Sequence, residues 1–371
     1  MSLKRRLRRQ KGGRAVEQSQ YKAIQFVRRA AQKKSTDAWS ALKAICDRSN
    51  RPYRLIEDVI KTMMNEGQIA LHFHPDRVLE SGQTIAASLR LSGLYSNQFV
   101  THNSNGMLAP YADSPRTRWE DHLFGPAYVG ADLKFRPKYG ALNVMGHPYG
   151  PAPRFGSCYF LLSSRCTNHA TFCFGDSSAD PSAKGTSEAF EDVLAALLKD
   201  SFVNEQVMGF IGIRPPELMD YLAGKHPSDS GALTSAAPVP NLNQYIEAQV
   251  HGDVRLDEDV VALVVDPSFK GSAVGEELAK MSVQYGFPLR WHLGYGLQVE
   301  EVVDDFRGRH MSNVARLIQQ NGCINAAIIG QALADAAMNA SDWANLEAPP
   351  ENLLKFLWHV LVRFGGEWSE Y

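Results

Sequence analysis

Three short segments of this 371-residue chain carry reactive side chains at spacings a folded site can use. In the first, LHFHPDR, residues Ile69, Leu71 and Phe73 alternate with Ala70, His72 and His74, so a strand here puts two imidazoles on one face and apolar groups on the other. Pro75 ends that strand, and Asp76 and Arg77 follow the break. A histidine pair at i and i+2 suits metal ligation, completed by Glu247, His251, Asp253 or His292, or hydrogen bonding to a substrate by a single imidazole. In the second segment, YIEAQVHG, residues Ile246, Ala248 and Val250 point one way and Tyr245, Glu247, Gln249 and His251 the other. Such a polar face is either exposed or lines a cleft. The third, RFGSCYFLL, places Gly156 and Ser157 before an apolar strand containing Tyr159, where a ligand could approach the backbone and stack on the ring, although Tyr159 and Phe160 also suit a core. Ser157 lacks the GxSxG setting of a hydrolase nucleophile.

The elements that must position these groups follow from periodicity. Apolar residues at helical spacing (Tyr21, Ile24, Val27, Ala31, then Trp39, Leu42, Ile45 behind an Asp37 cap, then Leu55 to Met63) predict three helices over residues 15–66. Strand composition recurs at 139–144, 156–162, 170–174, 245–251 and 260–265, and helices are expected at 83–93, 186–199, 215–223, 324–337 and 353–364. Residues 224–240 are small and polar and read as a surface loop. Strands scattered among long connections predict an α+β fold with antiparallel pairing. The implied organisation is a basic arm (1–14), an N-terminal helical segment (15–66), a core (67–296) and a C-terminal helical segment (297–371). No GxxxxGK[ST] and no GxGxxG after a strand is present, which removes the phosphate-loop and dinucleotide-fold readings.

A composition of 44% hydrophobic and 21% charged residues is that of a globular protein and excludes a disordered or collagenous chain. The net charge of -1 conceals an asymmetry: residues 1–34 hold twelve Lys/Arg and one acid, and the remainder holds 27 bases against 39 acids. The arm is therefore either a contact for an acidic partner or a solvated tail. Five dispersed cysteines without a CxxC spacing point to a reducing compartment and away from a zinc ribbon. Candidate apolar stretches such as 352–364 are interrupted, here by Lys355, His359 and Arg363, so no membrane span is expected. The basic start has no apolar segment behind it, which predicts a cytoplasmic protein or one exported without a cleavable signal peptide.

Together, LHFHPDR, RPKYGALNV, RFGSCYFLL, YIEAQVHG and DEDVVALVVDPSF resemble, in that order, an uncharacterised, mainly bacterial family proposed to belong to the ADP-ribosyltransferase superfamily. The resemblance implies a split antiparallel two-sheet core, with N-terminal and C-terminal helical additions, that grips NAD in a central cleft. It also implies transfer of ADP-ribose from NAD to a macromolecular acceptor, a protein, as in toxins and effectors. By the same resemblance His74 would bond the ribose of NAD, with His72 or Arg77 as alternatives, Ser157 would support the site, and Tyr159 would stack near the nicotinamide ring. Glu247 is similar to the catalytic glutamate. Two residues depart from the pattern: Pro75 follows His74 where relatives have glycine, and Gln249 stands at the second position of the glutamate-x-glutamate form. Aligning Glu247 as the single glutamate preserves activity; aligning Gln249 with the catalytic position makes the protein a weakened or inactive member. Two other functions stay open at this stage. One is a metal-dependent hydrolase using His72 and His74 with His251 and Asp253, and the other is a non-catalytic interaction module.

Overall fold

The strand predicted around the two histidines forms as β1 (Gln68–Phe73), which holds His72 and ends before His74, and its position organises the rest of the computed structural model. The structure describes residues 16–102, 111, 113–204, 206–224, 238–336, 343, 346 and 348–370. The basic arm at 1–14 and residues 225–237 of the 224–240 loop lie outside the described residues. In chain order the remaining strands are β2 (Lys138–Asn143), β3 (Cys158–Leu162), β4 (Ala170–Phe174), β5 (Lys184–Thr186), β6 (Gln206–Val207), β7 (Phe210–Ile211), β8 (Ile246–Val250), β9 (Val260–Val265), β10 (Leu289–Trp291), β11 (Tyr295–Gln298), β12 (Cys323–Asn325) and β13 (Gly366–Glu367).

Eight of them form one sheet in the order β10-β9-β3-β1-β2-β8-β4-β5, while β12-β11-β13 and β6-β7 make two small sheets. Pairing in the large sheet is antiparallel except for β9 with β10. The fold is thus mixed α and β, and the two sheets expected from sequence are joined into one. Their junction is narrow. β1 meets β2 only at Gln68↔Asn143, Ile69↔Leu142 and Ala70↔Ala141. Beyond those pairs β1 runs on with β3 as far as Phe73↔Cys158, and β2 runs on with β8 as far as Lys138↔Val250. The sheet therefore opens between His72 and Tyr139 into two wings. At the opening, a Cβ added to Gly140 would lie 2.4 Å from the Ala70 carbonyl oxygen and 2.7 Å from Leu71 Cδ2, so the close approach of the two backbones requires glycine.

Period-2 alternation sorts the two faces as the sequence predicts. Ile69, Leu71, Phe73, Phe160, Phe172, Ile246, Ala248 and Leu263 enter one continuous apolar core, together with Val59, Leu194 and Leu218 from the helices Leu55–Glu66, Glu191–Val203 and Pro215–Leu222. The same core includes Leu42 from the N-terminal helix and Leu357 from the C-terminal helix Pro350–Phe364. The opposite face carries His72, Tyr159, Glu247, Gln249 and His251, all buried. No helix among the described residues is long and apolar enough to cross a membrane.

Two sequence-based expectations are corrected. The N-terminal segment contains one long helix, Gln18–Arg48, and not two separated at Asp37. Its first half packs Ala23 and Val27 against Leu123, Phe124 and Tyr128, and its second half places Ala38, Leu42 and Ile45 in the main core. Asp37 is exposed on the helix surface, and Ser35 Oγ donates to Glu191 Oε1 at 2.5 Å, a tertiary contact in place of a cap. The helix expected from 186 begins at Glu191, because Thr186 pairs with Thr171 at the sheet edge.

Gly140→Ala is expected to lower the unfolding free energy by about 1–3 kcal/mol, the usual cost of forcing extra atoms into a packed site, with the urea transition as the measurement. A transition unchanged within error would show that the β1–β2 junction yields easily.

Candidate functional site

A cavity of about 740 Å³ lies where the two wings separate. β1 contributes His72 and Phe73 to its wall, β2 contributes Lys138, Tyr139 and Gly140, and β8 contributes Glu247. Aromatic surface comes from Tyr139, Trp119 and Phe155. Trp119 and Tyr139 have ring centroids 5.3 Å apart, and the Arg116 guanidinium sits 4.9 Å from the Tyr139 ring centre. Arg116 and Arg136 both pair with the buried Glu120, at 3.3 and 2.9 Å, which anchors this wall.

Glu247 lies at the end of a chain of hydrogen bonds along the polar face of β8. Its Oε1 accepts from Ser177 Oγ and from Gln249 Nε2 at 2.8 Å, and its Oε2 accepts from the Ser177 backbone N–H at 3.3 Å. Gln249 Oε1 accepts from Thr171 Oγ1 at 2.6 Å. With that hydroxyl proton committed, His251 Nε2–H donates to Thr171 Oγ1 at 3.2 Å, and His251 Nδ1 accepts from the Tyr128 hydroxyl at 2.6 Å. Every bond in the chain points the same way and ends on the Glu247 carboxylate. Burial nevertheless pushes the Glu247 carboxyl up to about 7, with the neighbouring Asp176 adding to the shift and the Ser177 and Gln249 bonds opposing it. Burial also brings His251 down to about 3, so its ring is neutral as the donor pattern requires.

The other residues named from sequence are distributed differently. His72 lines the cavity, but its Nδ1–H donates to the Gly156 carbonyl at 3.1 Å and its Nε2 accepts from the Ala152 N–H at 3.4 Å. Its ring packs on Tyr159 at 4.8 Å, and burial lowers its pKa to about 3. Ser157, Tyr159, His74 and Arg77 are not among the cavity-lining residues. Ser157 is buried with its carbonyl accepting from His292 Nε2 at 2.8 Å, and Tyr159 joins an apolar cluster with Leu161 and Val264. His74 lies edge-on to Trp358 at 5.1 Å, and Arg77 lies close enough to Asp76 to interact with its charge. Gln249 touches Glu247 but does not reach the cavity wall.

The histidines offered for a metal thus serve separate places, and Asp253 is exposed. Among the described residues, no three His, Cys, Asp or Glu side chains are grouped so as to hold a metal ion.

Several lining residues had little signal in the sequence. Asp176 and Ser178 follow β4 in a polar turn, and Arg307 lies in an irregular segment. Lys355 and His359 carried one clue, polar residues at i and i+4 on an otherwise apolar helix, and both line the cavity. Arg154 also lines it.

The fold and cavity define a mixed α/β protein with a ligand-sized cleft at an opening in its central sheet. The chain belongs to the DUF3626 family, described as a protein of unknown function, whose model matches residues 68–364. That span covers the whole large sheet and the whole C-terminal helix Pro350–Phe364. No curated protein matches the chain.

A carboxyl with a raised folded-state pKa binds its proton more tightly folded than unfolded, so stability falls as pH rises from the ordinary value of 4.5 to about 7. Glu247→Gln removes this loss. Its stability relative to wild type should therefore climb over that interval by up to about 3 kcal/mol and level off above it, as measured by urea unfolding at a series of pH values. A difference independent of pH would show that Glu247 titrates normally.

Proposed function

We propose that the protein is an NAD-dependent ADP-ribosyltransferase-like enzyme that transfers ADP-ribose to a macromolecular acceptor, with Glu247 as the catalytic carboxylate. The observation that carries the reading is the placement of Glu247: a buried carboxylate on the wall of a large cleft, held by three donors and facing aromatic and cationic side chains. This placement favours the alignment in which Glu247 is the single glutamate. Gln249 stands behind it as a positioning residue, its amide joined to both Glu247 and Thr171.

In the reaction the bond between the ribose C1′ and the nicotinamide nitrogen breaks, and its electron pair neutralises the positive nicotinamide ring. Positive charge then builds on the ribose, as in glycoside hydrolysis. A fixed carboxylate in a site of low dielectric stabilises that charge with little reorganisation. The cationic substrate ring itself favours ionisation of Glu247, whose pKa is raised to about 7 mainly because burial penalises the charge, with Asp176 adding to the shift. The acceptor nucleophile then bonds to C1′ and releases its proton. Tyr139, Trp119 and Phe155 supply the flat apolar surface that a nicotinamide or adenine ring requires. His72 is the member of the first-strand set that borders the cleft, and since both its ring nitrogens are engaged within the protein, in this reading it supports the wall by packing.

Incubation with labelled NAD and cell lysate, wild type beside Glu247→Gln, tests the proposal. The variant is expected to stay folded and to lose transfer or NAD breakdown by roughly 100-fold to 1,000-fold. Absence of NAD binding in calorimetry, together with no label passed to any acceptor or to water by the wild type, would sink the enzyme reading. Gln249→Ala should lower kcat by about tenfold with KM little changed, since it removes one hydrogen bond to a charged group. An equal rise in KM would assign Gln249 to binding instead.

A further inference from the structure

One wall of the cavity collects cations without a matching set of anions. Arg154 Nη1 and Arg307 Nη2 both donate to the single oxygen Asn243 Oδ1, at 3.0 and 2.9 Å, so two guanidinium groups are clamped side by side by a neutral amide. Lys355, from the C-terminal helix, lines the same cavity although it is only 7% exposed. Among the described residues it has no hydrogen-bond or salt-bridge partner, and its pKa falls to about 8 through burial and the nearby Arg77, Arg154 and Arg307 charges. The carboxylate in reach is Asp176, 3.4 Å from Arg154 Nη2, and Arg154 Nε is buried without a partner. Burying the Lys355 ammonium beside the half-buried Arg154 and Arg307 guanidinium groups is costly unless an anion offsets the charge.

We propose that Arg154, Arg307 and Lys355 form a subsite for the diphosphate group of a ligand lying in the cavity. Three cations less the Asp176 carboxylate leave a charge of +2, the complement of a diphosphate diester, and two guanidinium forks suit phosphate oxygens. Asp176 also interacts with Glu247, so the subsite adjoins the proposed catalytic carboxylate. The proposal shares with the NAD reading only the premise that this cavity is a ligand site. The diphosphate belongs either to NAD or to another phosphorylated compound.

Calorimetric titration of the full chain with inorganic pyrophosphate and, separately, with NAD tests the subsite in wild type, Lys355→Gln, Arg307→Gln and Lys355→Arg. Pyrophosphate is expected to bind wild type and to weaken at least tenfold in each of the first two variants. Lys355→Arg should stay within about threefold of wild type, which separates lost charge from damage to the fold. A parallel weakening of NAD would identify the diphosphate as that of NAD. Pyrophosphate binding without NAD binding would uphold the subsite, defeat the NAD reading and assign the site to a different phosphorylated ligand. Pyrophosphate and NAD binding to Lys355→Gln and Arg307→Gln as tightly as to wild type, or wild type binding neither, would overturn the subsite.

Discussion

Three residue pairs between β1 and β2 hold the two wings of the large sheet together, and the cavity exists because that pairing stops at Ala70 and Ala141. A strand that leaves its neighbour must satisfy its backbone groups elsewhere. β1 does so with β3, β2 does so with β8, and the Tyr95 hydroxyl, itself on the cavity wall, donates to the His72 carbonyl at 3.3 Å. Gly140 lets the strands approach closely just before they part. A side chain at that point would press on the backbone of Ala70, so the junction and the opening impose a common steric condition.

Within this opening the charges are segregated. Glu247 and Asp176 occupy one part of the cavity, Arg154, Arg307 and Lys355 another, and Asp176 interacts with both sets. Glu247 is costly to bury, and the donors that reach it recover part of that cost. Because the chain from Tyr128 through His251, Thr171 and Gln249 has one donor direction, the orientation of each side chain depends on the next. On the cationic side Arg154 and Arg307 share the Asn243 oxygen and Arg154 also faces Asp176, while Lys355 has no hydrogen-bond or salt-bridge partner among the described residues.

Much of the fold was legible in the residues. β1, β2, β3, β4, β8 and β9 all fall within the predicted runs or extend them by a residue, because alternating apolar positions bounded by Gly, Pro, Asn or Asp encode both the strand and the face it buries. The N-terminal helix was less legible. Asp37 looks like a helix start, and only the packing of both halves of Gln18–Arg48 on separate clusters shows why the helix runs through it. Thr186 likewise resembles a cap but is claimed by a strand partner distant in sequence.

By itself, the sequence determined which residues share a face: Glu247 beside Gln249 and His251, His72 opposite Leu71 and Phe73, and the polar positions Lys355 and His359 on an apolar helix. Local periodicity suffices for that, since it depends only on backbone geometry over a few residues. Tertiary structure alone decided which of these polar groups reach the cavity. His72 lines the cavity but spends both ring nitrogens on the chain's own backbone, and Ser157 lies outside the cavity wall, whereas Glu247 reaches the cavity with its carboxylate. It also brought Arg154, Arg307 and Lys355 to one wall, because long-range packing of the C-terminal helix, fixed by the Trp358 Nε1–H bond to the Pro153 carbonyl at 3.0 Å, places that helix over the opening in the sheet. Charge convergence of this kind depends on where distant elements dock, and no spacing along the chain encodes it.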